Sequence, residues 1–279
     1  MLTVLDLFSG IGGFSLGLER TGGFRTVSFC EIDSYCRAVL ANHWPDIPCY
    51  GDIRAFHGST GLVDIICGGF PCQDISSAGA KFGIGGERSG LWSEYARIIR
   101  EILPKYVIVE NVSSLLSRGM GDILGDLASI GYDAEWHCIS AAAIGAPHGR
   151  DRVWVIGYAD SNCKSGHHVH AETSWMPSHV TDSQCRLGPL GRYLAGNGWQ
   201  RELDWGNPWT GAAQDQPDFL GVDDGLPSRM DRLRSLGNAV VPQIAEMIGR
   251  AILAAEAALA LEARVSRADA SGERQQEGK

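Results

Sequence analysis

The chain has no C-x-x-C pair, no excess of basic residues, no lysine closing a phosphate loop and no apolar run of bilayer length. Each absence closes a class. The eight cysteines, Cys30, Cys36, Cys49, Cys67, Cys72, Cys138, Cys163 and Cys185, are scattered, which argues against a secreted disulfide scaffold and predicts a reducing cytoplasm. A net charge of -9 predicts no broad nucleic-acid surface, although a basic cleft on one face is compatible with it. The apolar Ile65–Cys67 stretch is cut off by glycines, so no membrane span is expected. The opening MLTVLDLFSG has no basic segment before its apolar residues, so no signal peptide is expected either. A length of 279 residues suits one or two domains.

What is present is alternation. LTVLDLF, RTVSFCEID, VDIICGG and KYVIVENV read as strands. Between and after them FSLGLERTG, SYCRAVLANHW, LWSEYARIIREIL and ILGDLASIGY carry apolar residues at helical spacing. AEWHCISAAAIG and DRVWVIGYA read as two further strands. Strands alternating with helices predict an α/β fold, a mostly parallel sheet with helices on both faces. The texture changes after Asp160: residues 161–224 are rich in Gly, Pro, Trp, His and Asp. We divide the chain into a catalytic and cofactor-binding part, 1–158, and a small irregular region, 159–226. A return segment, 227–263, reads as a strand or loop and then a long helix opening near Pro242. The polar stretch 264–279 is predicted to be a disordered tail.

The glycines of DLFSGIGGFSLGLE fall between a strand and a helix, where a tight turn lets backbone approach a ligand. A dinucleotide fingerprint starting at Gly10 and Gly12 wants a third glycine at position 15, and Ser15 stands there. A nicotinamide cofactor is thereby disfavoured. Glu31, about twenty residues past the loop, stands where a carboxylate accepts from both ribose hydroxyls. Asp52, in YGDIRAF, is placed to accept from an adenine amino group. An adenosine pocket without a phosphate grip suits S-adenosyl-L-methionine.

The order DLFSGIGGFSLGLE, GFPCQDIS, VENV, GRDRVWVIG and LGNAVVP resembles the DNA cytosine-5 methyltransferases of bacteria and phages, over residues 2–157 and about 228–260. Taken singly these motifs are weak. A cysteine after a strand is ordinarily structural, Glu-Asn ordinarily a turn or cap, and Arg-x-Arg ordinarily a solvated face. Their joint order carries the reading. The resemblance implies a Rossmann-like class I S-adenosylmethionine-dependent methyltransferase sheet, with the variable segment 159–226 as target-recognition region. It implies Cys72 as the nucleophile that adds to C6 of a flipped-out cytosine in duplex DNA, and Glu110, Arg150 and Arg152 as its catalytic helpers. Phe8, Gly10 and Gly12 would line the cofactor loop, Glu31 take the ribose, Asp52 and Ile53 the adenine, Leu91 a pocket wall, and Asn238 and Val240 the methionine end. Phe70 and Pro71 would stiffen the approach to Cys72, and residues 73–88 would form a mobile loop.

Two departures stand out. His148 occupies a position that is often Gln in this family, and the arginines of SRMDRLRS, Arg229, Arg232 and Arg234, stand where a clear support motif is missing. Cys163, His167, His168, His170 and Cys185 lack paired ligand spacing, and no metal site is read from them. A tRNA substrate on the same fold and a catalytically silent DNA-binding relative remain alternatives. The partners expected are duplex DNA and a cognate restriction endonuclease acting in the same system without contact, with the chain itself a monomer.

Overall fold

The computed structural model describes residues 1–71, 90–146, 149–159 and 229–276. Seven strands form one sheet: β1 Leu2–Leu7, β2 Phe24–Cys30, β3 Cys49–Tyr50, β4 Ile65–Gly68, β5 Tyr106–Val112, β6 Tyr132–Ser140 and β7 Asp151–Ala159. Their order is β3-β2-β1-β4-β5-β7-β6. β1, β2, β3, β4 and β5 pair in parallel, and β7 runs antiparallel to both β5 and β6. The helices are α1 Gly13–Arg20, α2 Ser34–His43, α3 Leu91–Ile102, α4 Leu115–Arg118, α5 Met120–Ile130, α6 Arg229–Asn238 and α7 Pro242–Gln276.

Strand alternation decides which residue faces which layer, because successive side chains point to opposite faces. Leu5, Leu7, Ile66, Val107, Val109, Val153 and Val155 face one side, where Tyr95, Ile98, Ile99 and Ile102 of α3 and Ile123 and Leu127 of α5 cover them. Val4, Ile65, Cys67, Ile108, Trp154 and Ile156 face the other, under Phe14 and Leu18 of α1 and Ile244, Ile248, Ala251 and Ile252 of α7. Both layers are apolar, as a sheet covered on both faces requires. The α/β architecture read from the sequence is the architecture observed.

Three local differences have physical reasons. The segment read as a strand or loop before Pro242 is the helix α6. Its run of Arg, Met, Asp and Leu has no glycine before Gly237, and helix propensity prevails over the weak apolar pattern. α7 continues as helix to Gln276, across the stretch whose polarity predicts a disordered tail. Ala, Arg, Glu and Gln are strong helix formers, and elongating a formed helix costs far less than nucleating one. The two-residue β3 and the one-turn α4 are too short to leave a periodic signal. The region 159–226 lies outside the described residues except at Ala159, which ends β7. Among the described residues, no helix is long and apolar enough to cross a membrane.

α1 and α7 touch through backbone. A Cβ on Gly17 would lie 2.1 Å from the Pro242 carbonyl oxygen and 2.7 Å from the Ala245 Cβ. A Cβ on Gly13 would lie 2.5 Å from the Val240 carbonyl oxygen. A glycine inside an ordinary helix gains about 1 kcal/mol of stability on change to alanine. Gly17→Ala should instead lose roughly 1–3 kcal/mol, because the two helices must separate. Chemical denaturation measures it, and a variant more stable than wild type would contradict the close approach.

Candidate active site

The order β2-β1-β4 reverses chain direction across the sheet at β1, and ligands of such sheets bind outside the carboxyl ends of the strands at that switch. The residues singled out from the sequence converge on this edge. β1 runs into the glycine loop, β2 into Glu31, β3 toward Asp52, and β4 into Gly69 and Phe70. Because β7 is antiparallel, its first residues, with Arg150 just before them and Arg152 among them, lie at the edge where β5 ends.

The glycine loop is held by side chains from beneath. Phe8 and Gly10 have φ of 52° and 53°, and Gly12, which caps α1, has φ of 86°. The Ser9 hydroxyl donates to the Asp6 carbonyl at 2.6 Å. The Ser9 amide donates to the Cys30 carbonyl at 3.3 Å, joining the loop to the end of β2. A Cβ on Gly12 would meet the Trp44 ring at 2.6 Å, whereas one on Gly10 would meet nothing within 4 Å, so Gly10 borders open space. Glu31 Oε2 accepts from the Gly10 amide at 2.7 Å, and Oε1 from the Asp33 amide at 2.8 Å. Each carboxylate oxygen keeps a lone pair for a ligand hydroxyl.

Asp6 is wholly buried under this loop. Its Oδ2 accepts from the Ser15 hydroxyl at 2.8 Å, and Oδ1 is buried without a partner among the described residues. Burial pushes its carboxyl up to about 8, against the hydrogen bonds from Ser15 and with the help of Glu31's charge. Asp6, Ser9 and Ser15 lie within the quoted glycine motif, but the sequence gives no sign that they brace the loop rather than line the pocket.

Other residues singled out from the sequence lie on the neighbouring elements. Asp52 caps the 3-10 turn Ile53–Ala55, accepting from the Arg54 amide at 2.9 Å, and Ile53 is buried beneath it. Leu91 opens α3 and packs on the core beside Trp92. Val240 packs against Gly13, while Asn238 ends α6 exposed. The Cys36 and Ser235 side chains, 3.4 Å apart, tie α2 to α6. The return segment therefore borders the glycine loop.

Farther along the same sheet edge, Glu110 of β5 and Arg152 of β7 are diagonal neighbours on one face, since Glu110 pairs with Trp154 and Val112 with Arg152. The Arg152 Nε lies 2.9 Å from Glu110 Oε1. Glu110 is 8% exposed. Its other oxygen would be 2.8 Å from a Cβ on Gly69, so a side chain there would push the carboxyl aside. Burial raises the Glu110 carboxyl above its ordinary value, and the attraction of Arg152 and then Arg150 opposes the rise. Arg150 donates to the Gly237 carbonyl from Nη1, while its Nε is buried without a partner among the described residues. Burial, then repulsion from Arg152, lowers its pKa. Asn111 donates to the Phe70 carbonyl at 3.0 Å and accepts from the Val112 amide at 2.9 Å, pinning the chain just before Pro71. Cys72, residues 73–88 and His148 lie outside the described residues. So do the Cys and His residues of 163–185, and the side chains of Arg229, Arg232 and Arg234.

A buried carboxyl under two arginines, a glycine loop and two acids at strand ends thus share one sheet edge. The family model for C-5 cytosine-specific DNA methylase matches residues 2–197. The chain belongs to the C-5 cytosine-specific DNA methylase family. It is 33% identical over 213 residues to the Type II methyltransferase M2.BsuMI of Bacillus subtilis, covering 72% of this chain and 54% of that protein. It is 37% identical over 162 residues to the Type II methyltransferase M.Eco47II of Escherichia coli, covering 55% and 39%. The solved S. pombe Dnmt2 methyltransferase superposes with a TM-score of 0.48 at 18% identity, covering 57% of this chain and 51% of that one. This methylase-family chain spans about half the length of M2.BsuMI.

Asp6 gives this methylase fold a pH dependence of definite sign. Its pKa is raised on folding, so the folded state binds the proton more tightly, and stability falls as pH rises from about 4 to about 8. Asp6→Asn removes this contribution, at most about 1.4 kcal/mol per pH unit. In denaturation at pH 5 and pH 7.5, the variant should gain on wild type as pH rises. A stability difference that is constant across this range would contradict the assignment.

Proposed function

We propose that the chain is a DNA cytosine-5 methyltransferase of the Type II modification kind, acting through a covalent adduct between Cys72 and C6 of a flipped-out cytosine. The observation that carries the proposal is Glu110, raised toward neutrality by burial and held by Arg152 against Gly69, three residues before Cys72. C5 of cytosine is too weak a nucleophile to attack a methyl donor. Addition of the Cys72 thiolate to C6 forms an S–C6 bond and moves the ring electrons toward C5 and N3. A protonated Glu110 gives N3 the proton that offsets this charge, and a raised carboxyl pKa is what that donation requires. Arg152 keeps the carboxyl oriented, and Arg150 adds positive charge where the thiolate and a phosphate backbone would both be stabilised. After C5 is methylated, a base removes the C5 proton, the electron pair re-forms the C5=C6 double bond and expels the thiolate, and N3 returns its proton to Glu110.

S-adenosyl-L-methionine would supply the methyl group, and the residues fit it. Gly10 leaves backbone open to a ligand, Glu31 offers two acceptors to ribose hydroxyls, and Asp52 offers one to the adenine amino group. Lys and Arg are absent from the loop between β1 and α1, as suits a ligand without phosphates. Ile53 and Leu91 would wall the adenine, Phe8 and Gly12 shape the loop, and Asn238 and Val240 reach the methionine end. The target cytosine must leave the duplex stack to reach this pocket. We place the protein in the cytoplasm as a monomer, with a cognate endonuclease cutting the same sites when unmethylated.

The test offers labelled S-adenosylmethionine with duplex DNA and with tRNA, side by side. Wild type should label cytosine C5 in DNA. Cys72→Ser should abolish labelling, and Glu110→Gln should reduce it by about 10²–10⁴-fold, while both still bind S-adenosylhomocysteine. Labelling of tRNA alone, or full turnover by Cys72→Ser, would overturn the proposal.

A further inference from the structure

The residues proposed to meet adenine sit on a turn with little regular structure of its own. Asp52 and Ile53 begin a single 3-10 turn that ends at Ala55, and the chain then runs irregularly to β4. Such a segment would ordinarily be loose, yet specificity for a base requires its acceptor to be fixed. Arg97 of α3 supplies the fixing. Its Nη2 donates to the Ile53 carbonyl at 3.0 Å and to the Phe56 carbonyl at 2.9 Å, spanning the turn from first residue to cap. Its Nε donates to Glu94 at 2.7 Å on the same helix, and its Nη1 donates to Glu101 at 2.6 Å and lies 3.2 Å from His57 Nδ1 in the clamped segment.

Glu101 extends the clamp. Its other oxygen accepts from the Gly58 amide at 2.9 Å. A Cβ on Gly58 would lie 2.3 Å from Ile102, so the segment lies directly on α3. The same helix begins with Leu91, the proposed opposite wall. A planar guanidinium held by two carboxylates has a fixed direction for its remaining N–H groups. A lysine ammonium has donors for two carbonyls, but it lacks the planar fork that holds both carbonyls and both carboxylates at once.

We propose that Arg97 is a positioning residue for adenine selectivity: it fixes the Ile53–Phe56 turn to α3 and thereby sets Asp52 at the distance that reads the adenine amino group. This rests on the cofactor reading above. Arg97 touches no ligand itself, so loss of the clamp should degrade discrimination rather than the catalytic groups.

The experiment compares binding of S-adenosylhomocysteine and S-inosylhomocysteine, whose base carries a carbonyl in place of the amino group. Wild type should prefer the adenosyl compound. Arg97→Lys keeps a positive charge beside Glu94 and Glu101 but loses the planar fork that holds both carboxylates and both carbonyls together. It should weaken adenosyl binding by about tenfold and bring the two affinities close together. Arg97→Met should do the same, and amide exchange at residues 53–58 should accelerate in both variants. Weakened binding of both compounds with the wild-type preference intact would overturn the proposal, as would unchanged exchange in that segment. Wild type that binds neither compound would overturn the cofactor reading itself, and the exchange arm would still decide whether the clamp exists.

Discussion

A carboxyl buried beside an arginine is an expensive thing to place at a sheet edge, and the arrangement around Glu110 shows what makes it tolerable. Charges removed from water are costly unless geometry and hydrogen bonds compensate. Here the compensation comes from the one antiparallel strand. Had β7 run parallel to β5, its first residues would lie at the opposite edge, far from the carboxyl ends of β1, β4 and β5. Its reversal brings Arg150 and Arg152 to Glu110 and brings the return segment, through Gly237, to the glycine loop. The pocket's two halves therefore depend on one strand direction.

Two of the buried carboxyls, Asp6 and Glu110, are tuned by the same force to different degrees. Among the described residues Asp6 has no cation beside it and accepts from the Ser15 hydroxyl, so burial dominates and its carboxyl is pushed up to about 8 beneath the loop. Glu110 has Arg152 at 2.9 Å and Arg150 nearby, so its rise is opposed. Desolvation with a cation and desolvation without one are separable causes. That separation distinguishes a group suited to proton transfer from one that supports a fold. It also explains how an acidic chain can carry a cationic site: the arginines act locally, inside low-dielectric walls, where the net charge of the surface counts for little.

Much of this was legible in the sequence for a simple reason. Strands covered on both faces read as short apolar runs, and the α/β order of LTVLDLF, VDIICGG and KYVIVENV follows from them. The glycine loop, Glu31, Glu110, Arg150 and Arg152 are each adjacent to a strand end, so a strand map is nearly a site map. What escaped was contact between distant segments. That Arg97 bridges two carbonyls forty residues earlier, that Asn111 holds the Phe70 carbonyl, and that Ser15 meets Asp6 are consequences of packing, and an arginine on an amphipathic helix looks like any other. α6 escaped because a polar helix has no apolar period to betray it.

The most direct test of the central claim is a trapping measurement. A duplex in which the target cytosine carries fluorine at C5 cannot lose the proton that elimination requires. Incubated with the chain and S-adenosylmethionine, it should yield a covalent protein–DNA species whose modified peptide, by mass spectrometry, contains Cys72. Active methyl transfer to ordinary duplex DNA with no such species, or with the adduct on another cysteine, would contradict the account.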